Sequence, residues 1–326
     1  MKYLIILFIA AVFPGICHVN AQDKKAFDDL LQVKHSFVPD IPYDQYDRTT
    51  FDLYMPEPVK EKMPLVIFFH GGSFIHGDKS QIKGQVSLAD SLLRNGIAFA
   101  SANYRYRENN DSLGVQKCLN DAVRCLQFIR YHAGEYHIDP ANVACYGESA
   151  GAGISLFLAF HDDMAIPDAT DPQKRESTRI ACAGAIATQS TYNLFRWKKI
   201  IPFYWLIFNL KRKDLNLQIA NFYGFKTFRD FRPLKKEITG KTDMLKMLSP
   251  DDPPVWLCNM VSDKIKKGLP HNENQLFHHP AHAIAVGKKA KKEGVTHYVI
   301  TNEKEKYKTI LLCPFLKKYL NNEIDQ

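Results

Sequence analysis

Five residues near the middle of the chain, Gly147-Glu148-Ser149-Ala150-Gly151, place a hydroxyl group between two glycines. They follow a short apolar run, Val143 to Tyr146, and precede a helix-forming run. A serine on a tight turn between a strand and a helix is lifted out of the sheet edge, and glycines two positions away avoid the clash that side chains would cause. The helix N-terminus also favours negative charge beside the hydroxyl. The pattern therefore predicts Ser149 as a nucleophile.

A second motif, His70-Gly71-Gly72-Ser73-Phe74, follows the apolar run Leu65 to Phe69. Two glycines in such a loop leave backbone N–H groups unshielded. Together with the N–H of Ala150, those of Gly71 and Gly72 are predicted to bind the oxyanion of a tetrahedral intermediate. His70 is interpreted as a residue that braces this loop rather than one that transfers protons.

The two motifs, together with Asn103-Tyr104-Arg105, Asp121 and Asp139-Pro140, resemble the α/β-hydrolase superfamily. The resemblance is to its esterase branch with a His-Gly-Gly oxyanion loop, which includes acetyl and feruloyl esterases of the hormone-sensitive-lipase kind. It covers residues 45–190 well and 250–320 more loosely. It implies hydrolysis of a carboxylic ester, in which the substrate is a small molecule or an acylated carbohydrate and no cofactor takes part.

The resemblance also implies that serine, acid and histidine follow one another along the chain. The acid then belongs just after the next-to-last strand, where Asp263 is the predicted residue. Asp251 and Asp252 precede that strand and are interpreted as capping or turn residues, and Glu273 is the alternative acid.

The histidine expected from the resemblance is missing. It belongs between the last strand and the final helix, but residues 301–308 contain none, and Tyr307 stands roughly in its place. Because a serine hydroxyl without a base is a poor nucleophile, the base has to come from elsewhere.

Three histidines are candidate bases. His279 and His282 belong to a cluster with His278, and His76 lies in the oxyanion loop. No carboxylate or cysteine completes a metal site at the cluster, so no metal is predicted. The alternative is a hydrolase scaffold with impaired catalysis that is retained for binding a sugar or another protein.

The elements that must position these residues alternate along the chain. Short apolar runs alternate with amphipathic ones, which predicts the α/β fold class: an α/β-hydrolase fold with a mainly parallel central sheet flanked by helices. The predicted strands are 49–55, 65–69, 97–102, 143–146, 183–187, 255–260 and 295–300, the first of them at an edge. The predicted helices are 85–94, 113–132, 150–160, 280–292 and 311–320.

One stretch, about 193–250, breaks the alternation because it offers helix-like apolar clusters and no clear strand. It is predicted to be a helical cap inserted in a hydrolase domain that spans residues 22–326. Within it, Ile200 to Leu210 is nearly all apolar or aromatic but too short to cross a bilayer.

The first residues have the pattern of a signal peptide. Lys2 precedes an apolar stretch, Pro14-Gly15 breaks it, and Val19-Asn20-Ala21 offers small residues for cleavage. Residues 1–21 are therefore excluded from the fold, and a secreted or periplasmic protein is expected. The pairing of the six cysteines that remain is left open.

The net charge of +8 is spread thinly along the chain. Its densest points, residues 211–213 and 288–292, have no interleaved aromatic side chains. Neither a nucleic-acid partner nor stable membrane insertion is predicted.

Overall fold

The computed structural model describes residues 27, 29–108, 110–210, 212–260, 270, 272–306 and 309–320. The predicted signal peptide, residues 1–21, lies outside these residues, as do Asp263 and Tyr307. Among the helices described, none is both long enough and apolar enough to cross a membrane.

The core of the fold is one mixed sheet of eight strands in the order β1-β2-β4-β3-β5-β6-β7-β8. The β1–β2 and β2–β4 pairs are antiparallel. The five other neighbouring pairs, β4–β3, β3–β5, β5–β6, β6–β7 and β7–β8, are parallel. The strands are β1 His35–Pro42, β2 Thr50–Pro56, β3 Met63–Phe69, β4 Ala98–Ala102, β5 Ile138–Glu148, β6 Ala183–Ile186, β7 Val255–Cys258 and β8 His297–Ile300.

Helices pack on both faces of this sheet, and each face has its own apolar core. The α-helices of the described residues are α1 Val86–Arg94, α2 Val115–Tyr131, α3 Ala150–Phe160, α4 Trp197–Ile200, α5 Tyr204–Leu210, α6 Arg212–Phe222, α7 Phe228–Phe231, α8 Lys235–Gly240, α9 Met244–Met247, α10 Glu273–Phe277, α11 Pro280–Glu293, α12 Glu303–Lys306 and α13 Leu312–Leu320. The predicted fold class, a mainly parallel sheet between helices, is confirmed.

One strand position was predicted wrongly. The strand from Thr49 was expected at the sheet edge, but β2 pairs with β4 on one side and with β1 on the other. The sequence of β1, His-Ser-Phe-Val-Pro-Asp-Ile-Pro, is mostly polar or proline and shows no sustained alternation. An edge strand with little buried surface needs few alternating apolar residues, so β1 has no clear hydrophobic periodicity and was not predicted.

The 193–250 segment connects β6 to β7, and its described residues form short helices without a strand. Two of its aromatic rings contact loops at the carboxyl end of the sheet. Phe222 packs 6.3 Å from Phe74 of the His-Gly-Gly loop, and Trp197 packs 5.9 Å from Phe277 at the end of α10. These contacts place part of the segment beside the His-Gly-Gly loop and beside the end of α10.

The six cysteines from Cys118 to Cys313 are all free thiols. Four of them are buried, and burial raises the pKa of the Cys145 thiol to about 12. Such thiols remain protonated and act as small apolar side chains.

Candidate active site

Ser149 occupies a strained turn at the carboxyl end of β5. Its backbone has φ 53° and ψ −111°, and helix α3 begins at the next residue. A Cβ atom on Gly151 would lie 1.9 Å from the carbonyl oxygen of Phe69, so only glycine allows the helix to approach β3 this closely. The strained strand-to-helix turn that the spacing of the glycines predicted is therefore present.

The His-Gly-Gly loop lies directly beside this elbow. Its residue Gly71 follows β3, which pairs in parallel with β5, and a Cβ atom on Gly71 would lie 3.6 Å from Cβ of Ser149. Within the described part of the chain, the N–H groups of Gly71, Gly72 and Ala150 donate to no protein acceptor. The three predicted oxyanion donors therefore have no protein acceptor in this part of the chain, and Gly71 and Ala150 lie next to Ser149.

Two imidazoles contact the carbonyl groups of the glycine pair. His70 Nδ1 lies 2.6 Å from the carbonyl oxygen of Gly71, and His76 Nδ1 lies 2.6 Å from that of Gly72. Because a trans peptide is planar, holding the carbonyl of Gly71 also points the N–H of Gly72 the opposite way. His70 is buried, and burial lowers its pKa to about 4, so the ring is neutral at neutral pH. His70 thus braces the loop.

A histidine contacts Ser149 from the other side. His278 Nε2 lies 2.9 Å from Ser149 Oγ, within hydrogen-bond reach. Burial lowers the pKa of His278, which favours the neutral imidazole that a base requires. His278 follows α10, in the connection from β7 to α11, and not the connection from β8 to α13 where the resemblance places the histidine.

The other ring nitrogen of His278 is also occupied. Its Nδ1 lies 2.7 Å from Oδ1 of Asn274, one helical turn earlier in α10. An amide oxygen only accepts, so this contact assigns the proton to Nδ1 and leaves Nε2 free to accept the proton of Ser149. The result is a line of Ser149, His278 and Asn274 in which the orienting group is neutral.

The backbone around His278 is held by two amide side chains. Nδ2 of Asn259, just after β7, lies 3.4 Å from the carbonyl oxygen of His278 and 3.3 Å from that of His279. Nε2 of Gln189, after β6, donates to the carbonyl oxygen of Phe277 at 3.0 Å. Asn259 is itself fixed by two hydrogen bonds with the backbone of Thr188. We call Asn259 and Gln189 the amide clamp.

The three histidines predicted as bases have other contacts. His279 is buried and caps α11, with Nδ1 accepting from the N–H of Ala281. His282 is buried, its Nδ1 accepts from the N–H of Ser190, and its Nε2 lies 3.2 Å from the carbonyl oxygen of Leu276. His76 holds Gly72. The imidazole that contacts Ser149 is the remaining member of the cluster, His278.

The predicted acid cannot be placed, because Asp263 lies outside the described residues. The alternative Glu273 begins α10, and its side chain is likewise outside them. Asp252 accepts from the N–H of Ser249 and pairs with Arg179, and Asp251 also pairs with Arg179. Both aspartates therefore act in a turn, as expected.

A local signal could have distinguished His278 from its neighbours. Pro280 fits the first position of a helix, which makes His279 the N-cap and ties its side chain to the backbone. His282 then lies on the first turn of α11. His278 is left as the one histidine of the three outside the helix and its cap.

Comparisons with known proteins identify a family for this chain and several esterases that it resembles. Residues 51–265 match the BD-FAE family, and the chain therefore belongs to it. Among curated relatives, an isoprenylcysteine alpha-carbonyl methylesterase of Arabidopsis thaliana is 26% identical over 254 residues, which cover 76% of this chain and 52% of that protein. Gut esterase 1 of Caenorhabditis briggsae is 27% identical over 116 residues, 34% of this chain and 20% of its own length. The matches span between a fifth and about half of these two relatives.

Solved structures share the fold over most of the chain. A truncated carbohydrate esterase from gut microbiota superposes with a TM-score of 0.59 at 14% identity and covers 88% of this chain and 95% of its own. An acetyl ester-xyloside bifunctional hydrolase from Caldicellulosiruptor lactoaceticus gives 0.54 at 18% identity, over 89% and 94%. The chain thus has the α/β-hydrolase fold.

Proposed function

We propose that this member of the BD-FAE family is a serine esterase that hydrolyses carboxylic esters, with Ser149 as nucleophile and His278 as general base. The observation that carries the proposal is the 2.9 Å contact between Ser149 Oγ and His278 Nε2. Residues 301–308 contain no histidine, which favoured the alternative of a scaffold with impaired catalysis. His278 is proposed as the base that this loop lacks.

The reaction follows from the positions of these groups. His278 Nε2 takes the proton of Ser149 as Oγ attacks the acyl carbon, and the N–H groups of Gly71, Gly72 and Ala150 stabilise the oxyanion. The imidazolium then returns its proton to the leaving alcohol, which breaks the ester bond and leaves an acyl enzyme. A water molecule, deprotonated by the same imidazole, releases the carboxylic acid and regenerates the serine.

The proposed substrate is an acyl group on a carbohydrate. Two solved structures that share the fold are named as a carbohydrate esterase and an acetyl ester-xyloside hydrolase. Both are under 25% identical to this chain, so the substrate class is a proposal of ours.

The test compares p-nitrophenyl acetate hydrolysis by the wild type and Ser149→Ala. Ser87→Ala, at an exposed serine in α1, is the matched control. We expect Ser149→Ala to lose at least about 10³-fold in kcat, and the control to keep full activity. Equal rates for the wild type and Ser149→Ala would refute the proposal.

Export is a separate proposal that depends on residues 1–21. We propose that this segment directs the chain out of the cytoplasm and is then removed. Expression of the full chain should give a product that begins at Gln22 in the periplasm or medium, as read by mass spectrometry. An intact N-terminus on a cytoplasmic product would contradict it.

A further inference from the structure

Tyr192 lies in the connection from β6 to β7, just before the 193–250 segment, and it is buried. Its hydroxyl lies 3.2 Å from the carbonyl oxygen of Ala150, the residue after the proposed nucleophile. Its ring packs edge-on against that of Phe74, in the His-Gly-Gly loop, with centroids 5.2 Å apart. One side chain therefore contacts both segments that carry the proposed oxyanion donors.

The hydroxyl of Tyr192 has two acceptors within reach. The carbonyl oxygen of Ala150 is the nearer one, and Oε1 of Gln189, a member of the amide clamp, lies 3.5 Å away. A hydroxyl has one proton to donate, and the shorter distance assigns it to Ala150. Both acceptors belong to the surroundings of the candidate site.

The contact with Ala150 depends on a glycine inside helix α3. A Cβ atom on Gly153 would lie 1.7 Å from the hydroxyl oxygen of Tyr192 and 2.3 Å from its Cζ. Glycine is less favourable than alanine in the interior of a helix. The N–H of Gly153 also donates to the carbonyl oxygen of Ser149, at 3.1 Å. Glycine at this position therefore leaves the space that the tyrosine fills, within the first turn after the serine.

Phe74 has a backbone conformation that needs support from its surroundings. Its φ is 66° and that of Ser73 is 53°, in the left-handed region that is unfavourable for residues other than glycine. Such conformations persist where the surrounding packing holds them. The ring of Phe74 is buried and packs against those of Tyr104, Tyr192 and Phe222 at 5.9, 5.2 and 6.3 Å. Tyr192 is thus part of the packing that supports the loop directly after the glycine pair.

The backbone of Tyr192 is held by the 193–250 segment. Its N–H donates to the carbonyl oxygen of Thr242 at 3.0 Å. Its own carbonyl oxygen accepts from the hydroxyl of Tyr223. Both partners lie within the segment, so Tyr192 connects the segment to the two loops of the candidate site.

We propose that Tyr192 is a positioning residue for the oxyanion hole. It holds the serine turn and the His-Gly-Gly loop together, so that the N–H groups of Gly71, Gly72 and Ala150 converge on one oxygen atom. Preorganised donors of this kind stabilise a transition state because they need no rearrangement as the charge develops. The inference rests on the proposed esterase function, since that reaction supplies the oxyanion.

The experiment compares two substitutions that each remove one buried hydroxyl. Tyr192→Phe keeps the ring and removes the donor to Ala150. Tyr43→Phe is the matched control, because the hydroxyl of Tyr43 is also buried and donates to a backbone carbonyl oxygen, that of Asn103. The wild type and both variants are assayed with p-nitrophenyl acetate and with the inhibitor 1,1,1-trifluorobutan-2-one. Oγ of Ser149 adds to the carbonyl carbon of this ketone, and the carbonyl oxygen becomes the oxyanion of a tetrahedral adduct.

We expect Tyr192→Phe to lower kcat about tenfold and to change KM less than about twofold, as for a misplaced catalytic group. The inhibition constant of the ketone should rise about as much as kcat/KM falls, because the adduct resembles the transition state. Tyr43→Phe should keep kcat and the inhibition constant within about twofold of the wild type, although both variants lose thermal stability. A role confined to stability would leave the inhibition constant of the folded enzyme unchanged.

Gly153→Ala tests the same contact from helix α3 if Tyr192→Phe fails to fold by circular dichroism. The added Cβ atom overlaps the tyrosine hydroxyl, so this variant should also lose kcat with little change in KM. Gly134→Ala is its control, since a Cβ atom on Gly134 meets no heavy atom within 4 Å.

Wild-type kcat and ketone inhibition in Tyr192→Phe, or equal losses in Tyr192→Phe and Tyr43→Phe, would overturn the proposal. A rise in KM at constant kcat would assign Tyr192 to substrate binding and would overturn it as well. A folded wild type that does not hydrolyse the ester would refute the proposed esterase function itself, so the two failures are distinguishable.

Discussion

Ser149 and His278 lie 129 positions apart in the chain, yet their side chains meet with Oγ and Nε2 separated by 2.9 Å. The elbow after β5 brings the serine to the carboxyl end of the sheet, and the connection after β7 brings the imidazole to the same end. The two strands are separated in the sheet by β6 alone. The histidine therefore reaches the serine from the position in the fold where the resemblance places the acid.

The first prediction concerns the base. His278→Gln removes the nitrogen that accepts the serine proton, and we expect kcat for p-nitrophenyl acetate to fall by about 10³-fold, within the range for loss of a general base. His132→Gln is the control. His132 follows α2 and pairs with Glu135. It lies before the start of β5, whereas Ser149 follows the end of that strand. Full activity of His278→Gln would contradict the assignment, and loss of activity in His132→Gln would make the result uninformative about the base.

The second prediction concerns the orienting residue. Asn274→Ala leaves the ring of His278 without its partner at Nδ1, and a misplaced base is expected to cost about ten- to a hundredfold in kcat. Asp263→Asn, at the acid predicted from the sequence, is made in parallel. A large loss in Asp263→Asn together with normal activity in Asn274→Ala would transfer the orienting role to Asp263.

The third prediction is a pH profile. Because burial lowers the pKa of His278 below its ordinary value of 6.5, the neutral form that acts as base persists into mildly acidic solution. The acid limb of kcat/KM should therefore lie below pH 6.5. Asn274→Asp places a carboxylate at Nδ1, which stabilises the imidazolium and raises its pKa by about 1. The acid limb should then move to higher pH, and a limb that stays in place would contradict the contact between Asn274 and His278.

The fourth prediction tests the amide clamp. Asn259→Ala leaves the carbonyl groups of His278 and His279 without that donor, at a cost of about 1–3 kcal/mol in the free energy of unfolding. Since the clamp positions the base and binds no substrate, kcat should fall while KM for p-nitrophenyl acetate changes little. Gln189→Ala should act in the same direction and more weakly, because Gln189 contacts one carbonyl group of the connection before α11, that of Phe277. A rise in KM at constant kcat would show that the clamp affects substrate binding instead.

The fifth prediction concerns stability against pH. Burial lowers the pKa of His70 to about 4 and that of His282 to about 3, whereas both take up protons near pH 6.5 in the unfolded chain. Between these values the unfolded state binds more protons, so the free energy of unfolding decreases as the pH falls from 6.5 to 4. The decrease in the free energy of unfolding should approach about 1.4 kcal/mol per pH unit for each histidine. Urea unfolding at several pH values measures this slope. His282→Gln should flatten it, and an unchanged slope in that variant would refute the contribution of His282.

Much of the fold was predictable because its constraints are local. Helix α3 spans the predicted residues Ala150–Phe160, since the glycine at 151 and the apolar run fix its start and its packing. The buried parallel strands were visible as short apolar runs for the same reason. The strand β1 was missed because its pairing with β2 depends on neighbours in space and leaves little trace in its own residues.

The residues of the candidate site also differ in how far the sequence predicts them. The turn at Ser149 was predictable because backbone geometry demands glycine two positions to either side of that serine, and Gly71-Gly72 was visible as a pair after a buried strand. The histidine was not predicted, because His278, His279 and His282 are close in sequence and the choice among them depends on the start of α11, which Pro280 marks. Asn274 could not be predicted either, since its position relative to His278 depends on the single turn of α10.

The most direct test of the account is labelling with a fluorophosphonate probe, which reacts with a serine only when a base activates it. We predict that the wild type is labelled at Ser149, that His278→Gln loses labelling, and that Ser149→Ala is not labelled. Labelling of His278→Gln at the wild-type rate, or no labelling of a folded wild type, would contradict the claim that His278 activates Ser149.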